Sequence, residues 1–294
     1  MSYVASPAVR KYAGDRGVDL AAVAAQTGRE TLAREDVDRH LSGAHAASGA
    51  DPTRYWSVDH AAHGPVTEEP VGRIARLAAD NLQASASVIP QVTHHERADM
   101  TAVEALRGEL RNEAAARGLR LTALAFHVKA LARCLRDFPR FNASLSPDGE
   151  TLTLKQYIHV GIAVDTPNGL MVPVIRDAGR KGLWAIAADI ADLAARAQAR
   201  KLRGEEMGGA SMTISNLGGI GGTAFTPIVN PPELAILGLT RTSTEPVWDG
   251  AAFAPRPICP LDLSYDHRVI NGADAARFLA RYAALIEDPR RLLL

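Results

Sequence analysis

Between Val71 and Leu82 the apolar residues Val71, Ile74, Leu77, Ala78 and Leu82 recur at intervals of three and four, which predicts a helix with one apolar face. Leu121, Leu124, Val128, Leu131 and Leu135 predict a second, and the stretch from Leu183 to about Arg200 a third. Elsewhere the period drops to two. From Tyr157 to Asp165 the alternation of Ile158, Val160, Ile162 and Val164 predicts a strand, and Leu170 to Ile175, Met212 to Ser215, Ala235 to Leu239 and Leu261 to Tyr265 predict four more. Strands interspersed with amphipathic helices, without an internal repeat, predict an α/β two-layer sandwich with helices over one face of a mixed sheet.

The N-terminal part has a different texture. Pro7 stands at a helix start, Val9 and Tyr12 follow, Gly17 makes a turn, and Val18, Leu20 and Val23 precede a short charged helix from Arg34 to Leu41. Residues 1–43 therefore read as a small helical domain, near the lower size limit for folding without staples. Ala, Gly, Ser, His and Pro without periodicity make 44–65 a linker, and 66–294 the large domain.

At 294 residues the chain has room for two folded units, and 33 basic against 33 acidic residues leave no net charge. That lack of surplus Lys and Arg argues against nucleic acid as a partner. No apolar run approaches the 18 or so residues of a membrane span, and Met1 to Gly14 lacks a signal-peptide core, so a cytoplasmic location without membrane contact is expected. Cys134 and Cys259 stand alone in apolar surroundings and read as buried free thiols.

Two segments could carry chemistry. In Tyr265-Asp266-His267-Arg268-Val269-Ile270-Asn271-Gly272, His267 falls where a strand ends and an alanine-rich helix begins, and imidazole can take and return a proton near neutrality. A structural histidine hydrogen-bonded near the turn is the alternative, and local context alone makes His267 only a candidate. In Met212-Thr213-Ile214-Ser215-Asn216-Leu217-Gly218, the Ser215 hydroxyl could donate to a developing oxyanion, or Ser215 and Asn216 could simply bond backbone as the strand ends. Gly218, Gly219, Gly221 and Gly222 have the spacing of neither a dinucleotide nor a phosphate loop, and read as turn residues. His94 and His95 would point to opposite faces of a strand, so no metal is expected there.

Between Val66 and Leu294 run Gly72-Arg73-Ile74, Ile89-Pro90 with Val92-Thr93, Phe138-Pro139-Arg140-Phe141-Asn142 and Gly161 through Leu170. Pro173 to Arg176, Thr213 to Gly218, Phe225 to Pro232 and Asp266-His267-Arg268 follow in order. By these motifs the segment resembles the acyltransferase core components of 2-oxo acid dehydrogenase complexes, which share a fold with chloramphenicol acetyltransferase. Trp56 to Asp59 and Glu245 to Gly250 look most like the pyruvate dehydrogenase branch.

The resemblance implies acetyl transfer between coenzyme A and dihydrolipoamide, with His267 as base and Ser215 as oxyanion donor. The two substrates would enter a channel between neighbouring subunits from opposite ends, so that His267 of one chain faces Ser215 of the next. Asn271, where most relatives carry Asp, would orient neighbouring groups by hydrogen bonding. A homotrimer is implied, joined into a cage of about 24 copies, with Leu292-Leu293-Leu294 as an apolar tie between trimers. Ser6 to Arg10 and Arg34 to Val37 are similar to the family's peripheral subunit-binding domain. Thr27-Gly28-Arg29-Glu30-Thr31 departs from its glycine and arginine pattern, so docking of the decarboxylase and dihydrolipoamide dehydrogenase components is expected to be weak. None of Lys11, Lys129, Lys155, Lys181 and Lys201 lies in a lipoyl turn, so the lipoyl group is expected from another domain or chain. A non-catalytic structural core, or a succinyl or branched-chain acyltransferase, are the alternatives.

Overall fold

The computed structural model describes residues 3–27, 31–38, 40, 56–167 and 169–292. Contacts divide the chain into two compact units, Met1–Glu69 and Pro70–Leu294. Most of the expected linker, residues 44–55, lies outside the described residues, as do Gly28, Arg29 and Glu30.

In the first unit, strand β1 (Val4–Ala5) leads into helix α1 (Pro7–Gly14). Ser6 caps the helix, its hydroxyl accepting from Val9 N–H at 3.3 Å, and Pro7 fills the first helical position, where a missing N–H is harmless. Gly17 turns the chain at φ +65°, and α2 (Leu20–Thr27) follows. Strand β2 (Thr31–Leu32) pairs in parallel with β1, and residues 34–38 are helical. Val9, Leu20 and Val23, which the apolar spacing marks out, bury themselves with Ala13, Leu32 and Val37, while Tyr12 and Val18 pack partly buried against them.

The second unit opens with α3 (Arg73–Val88) and strand β3 (Gln91–Asp99), then α4 (Thr101–Glu109), α5 (Arg111–Ala116) and α6 (Ala123–Asp137). A hairpin of β4 (Ala143–Leu145) and β5 (Leu152–Leu154) precedes β6 (Val160–Ile162), β7 (Val174–Ile175) and α7 (Leu183–Gln198). After these come β8 (Met212–Asn216), β9 (Ala235–Leu239), β10 (Ser243–Trp248), β11 (Phe253–Asp266) and α8 (Gly272–Glu287). β6 pairs in parallel with β8 and β8 with β9, whereas β7, β11, β10 and β3 join antiparallel, so the sheet is mixed as the patterning predicts.

Period two sorts the strands onto two faces. Val160, Met212, Ile214, Leu237, Leu261 and Leu263 point into the main core with Phe126, Leu131, Phe278 and Tyr282 of α6 and α8. Thr213, Ser215, Ile236, Gly238, Asp262 and Ser264 alternate with them onto the opposite face. Cys134 and Cys259 are free and buried, as expected, and burial pushes the Cys259 thiol up to about 11.

Two expectations need correction. The predicted apolar face does not pack inside its own unit: Val71, just ahead of α3, and Ile74, Leu77 and Leu82 on it are exposed, and the helix buries only Ser85. Leu292 is the reverse case, buried in a short 3-10 turn (Pro289–Leu292) that folds back against α6 and α8. A terminal tie of three exposed leucines therefore loses its first member, while Leu293 and Leu294 lie outside the described residues. Among the described residues no helix is long and apolar enough to cross a membrane.

Candidate active site

His267 is the first residue beyond β11, and its backbone is fixed on both sides. Asp266 N–H donates to Leu234 O at 2.8 Å, and His267 N–H to Pro90 O at 3.1 Å. The Asp266 carboxylate is buried and turns back on its own chain: Oδ1 accepts from Arg268 N–H and Nε, each at 3.0 Å, and Oδ2 from Arg268 Nη2 at 2.6 Å. This two-pronged pair satisfies a carboxylate that burial would otherwise penalise, and it locks the turn presenting the imidazole. The ring is exposed, tilted beside Tyr265 at 5.8 Å, and its nitrogens bond to none of the described residues.

Asn271 has a visible task. Its Oδ1 accepts from Asp274 N–H at 2.9 Å, capping α8, which leaves the two amide protons for other partners. One lone pair of the Asn271 oxygen is thus given to the helix.

Ser215 stands half-buried near the end of β8, and its hydroxyl bonds to none of the described residues. Asn216 is occupied: its Oδ1 accepts from Gly218 N–H at 2.9 Å, the backbone-bonding role open to either residue at the strand end. Thr213, one step back on the same face, donates to Glu233 Oε1 at 2.8 Å. Asn230 Nδ2 also bonds that oxygen, at 3.1 Å, and burial drives the Glu233 carboxyl up to about 7. Glu233 carries no motif, and its position after Pro231-Pro232 gave no sign of burial.

Register separates serine from histidine. Ser215 lies opposite Gly238, and Gly238 opposite Asp262, so Ser215 is level with Asp262 on β11. His267 is five residues further along that strand. At about 3.4 Å per residue and about 4.8 Å per strand, the two Cα atoms of one chain lie roughly 20 Å apart, at opposite ends of the sheet. A single chain cannot bring ring and hydroxyl onto one substrate atom.

His94 and His95 face opposite sides of β3, as alternation requires: His94 pairs with Leu263, and His95 with Asp262. Among the described residues no three His, Cys, Asp or Glu side chains converge as metal ligands would.

Residues 63–294 match the family of 2-oxoacid dehydrogenases acyltransferase (catalytic domain). The acetyltransferase component of the pyruvate dehydrogenase complex of Azotobacter vinelandii is 48% identical over 300 residues, covering 99% of this chain and 47% of its own. The chain spans about half the length of this and another curated relative it matches. A crystal structure of A. vinelandii dihydrolipoamide acetyltransferase superposes with a TM-score of 0.79 at 51% identity, over 81% of this chain and 98% of that one. It belongs to a study of the roles of one serine, one histidine and one asparagine in that enzyme's catalytic mechanism. The cubic core of the pyruvate dehydrogenase multienzyme complex matches with the same TM-score, identity and coverage.

Proposed function

The chain belongs to the 2-oxoacid dehydrogenase acyltransferase family, and we propose that it transfers acetyl groups between coenzyme A and dihydrolipoamide as the core of a pyruvate dehydrogenase complex. The observation that carries the reading is the placement of Ser215 and His267. Among the described residues neither side chain has a hydrogen-bond partner, and the two sit at opposite ends of one sheet. Together with Asn271 they repeat, at the same intervals along the chain, the serine, histidine and asparagine studied in the Azotobacter enzyme.

In the direction that forms acetyl-CoA, the His267 ring of one chain takes the proton of the coenzyme A thiol. The thiolate attacks the thioester carbonyl of S-acetyldihydrolipoamide. Ser215 of the neighbouring chain donates to the oxyanion while the tetrahedral intermediate lasts. Collapse breaks the bond from carbon to the lipoyl sulfur, which recovers the proton from the imidazolium. The lipoyl group comes from another domain or chain.

A site divided in this way needs a second copy, and α3 supplies a surface for one. Its face of Ile74, Leu77 and Leu82, continued by Val71 just before the helix, is an apolar stripe that a neighbouring copy would cover. A closed trimer gives each chain one His267 end and one Ser215 end in use, and assembly of trimers into a cage accords with the cubic core that the chain resembles.

The test is acetyl transfer from acetyl-CoA to dihydrolipoamide, run on two variants separately and mixed. Ser215→Ala alone should lose about 10²- to 10³-fold in turnover and His267→Ala about 10²- to 10⁴-fold. Assemblies formed from equal amounts of both should recover about a quarter of the wild-type rate, because random mixing rejoins an intact histidine with an intact serine at that fraction of junctions. No recovery in verified mixed assemblies overturns the shared site. A wild-type protein without transfer activity returns the chain to the scaffold reading.

A further inference from the structure

Asp262 interrupts the apolar run of Leu261 and Leu263 on β11, yet it is only 1% exposed. Both of its oxygens are engaged. Oδ1 lies 2.6 Å from His95 Nδ1, and Oδ2 accepts from Phe225 N–H at 3.2 Å. A carboxylate only accepts, so the imidazole donates through Nδ1. Holding a carboxylate this deeply is tolerable only because each oxygen has a donor.

The register places this group in the row of Ser215. Ser215 is opposite Gly238, Gly238 opposite Asp262, and Asp262 opposite His95, and directly opposed residues point to the same face. Asp262 is therefore two strands, about 10 Å, from Ser215. Gly238 between them has no side chain, and the ring of Phe225 fills its place. A methyl group on Gly238 would lie 2.5 Å from Phe225 Cε1 and 2.7 Å from Cζ. Phe225 belongs to the irregular stretch that leaves β8 just after Ser215 through Gly218, Gly219, Gly221 and Gly222. That stretch has no strand ladder, and the bond from Phe225 N–H to Asp262 ties it to the sheet.

We propose that Asp262 is a positioning residue for the transfer reaction. It clamps the Phe225 backbone, with His95 fixing the orientation of the carboxylate, and so keeps the aromatic ring seated on Gly238. There the ring walls one side of the Ser215 hydroxyl from water. A hydrogen bond donated in a drier setting is stronger, and only the oxyanion stage benefits in full. The inference rests on Ser215 as the oxyanion donor.

A double-mutant cycle tests it, with kcat and KM for coenzyme A measured on assemblies whose size is checked by sedimentation. Asp262→Ala should lower kcat about tenfold and leave KM within about twofold, whereas Asp262→Asn, which can still accept from Phe225 and donate to His95, should restore most of the rate. On a Ser215→Ala background the same Asp262→Ala change should lower kcat by less than about twofold. Equal losses on both backgrounds, or wild-type kcat for Asp262→Ala, overturn the inference while leaving the Ser215 reading intact. Full turnover by Ser215→Ala alone removes that reading, and the inference falls with it. If Asp262→Ala does not assemble, Phe225→Ala carries the cycle with the same two expectations.

Discussion

Thr213 donates its hydroxyl proton to Glu233 Oε1 at 2.8 Å, joining the strand of Ser215 to a carboxyl whose other oxygen, Oε2, is buried with no partner among the described residues. Burial raises the Glu233 carboxyl to about 7, against the bonds from Thr213 and Asn230 and the charge of Lys155. The fold thus holds this proton more tightly than the unfolded chain does. Stability from this group is fully present below pH about 4.5 and declines through pH 7, by about 3 kcal/mol in all. Glu233→Gln should therefore raise the melting temperature at pH 8 more than at pH 5. Parallel melting curves across that range would remove Glu233 as the source.

His127 makes the opposite demand. It is enclosed in α6, with Nδ1 2.7 Å from the Tyr282 hydroxyl, and burial lowers its pKa to about 4. The neutral ring is the folded form, so this contribution is intact above pH about 6.5 and is lost as pH falls through 4, again by about 3 kcal/mol. His127→Asn should flatten the fall in melting temperature between pH 6.5 and 4. A variant as acid-sensitive as wild type would place that sensitivity elsewhere.

At Asn271 the helix cap separates stability from catalysis. Asp caps a helix as well as Asn does, and its charge suits the positive end of α8, so Asn271→Asp should melt close to wild type and change turnover by less than about tenfold. Asn271→Ala removes the acceptor for Asp274 N–H and should cost about 1 kcal/mol in unfolding experiments. If Asn271→Asp gains a hundredfold in turnover, the native chain is an impaired catalyst and its role as a scaffold comes to the fore.

Much of the sheet was legible because its buried strands are short and apolar. Ala235–Leu239 matches its pattern end to end, and Met212–Asn216 differs by one residue. Patterning gives no strand at β3, since Thr93, His94, His95, Glu96 and Arg97 have no apolar rhythm and it is pairing with β11 that makes them extended. The first half of β11 was hidden by Pro255 and Pro257, which argue against a strand. Their spacing of two is the overlooked clue: opposite Pro246 and Thr244, both occupy positions of the ladder with β10 where no N–H is needed. Ser215 and His267 could each be picked out by local context and resemblance. Their separation within one chain was implied by the resemblance alone; local context could not show it, because it follows from which strands pair and in what register. Asp262 alternates with the core residues Leu261 and Leu263, and it is buried because the Phe225 segment covers the opposite face.

The distance across the sheet from Ser215 to His267 also governs how damage spreads. Under the shared-site reading every chain serves two reaction centres, lending a base to one neighbour and an oxyanion donor to the other. A chain whose sheet is distorted spoils both, so in a ring of three a single faulty copy leaves one centre working. Mixtures of sound and misfolded chains lose activity faster than the misfolded fraction rises, and alleles that disturb this sheet while sparing assembly behave as dominant ones.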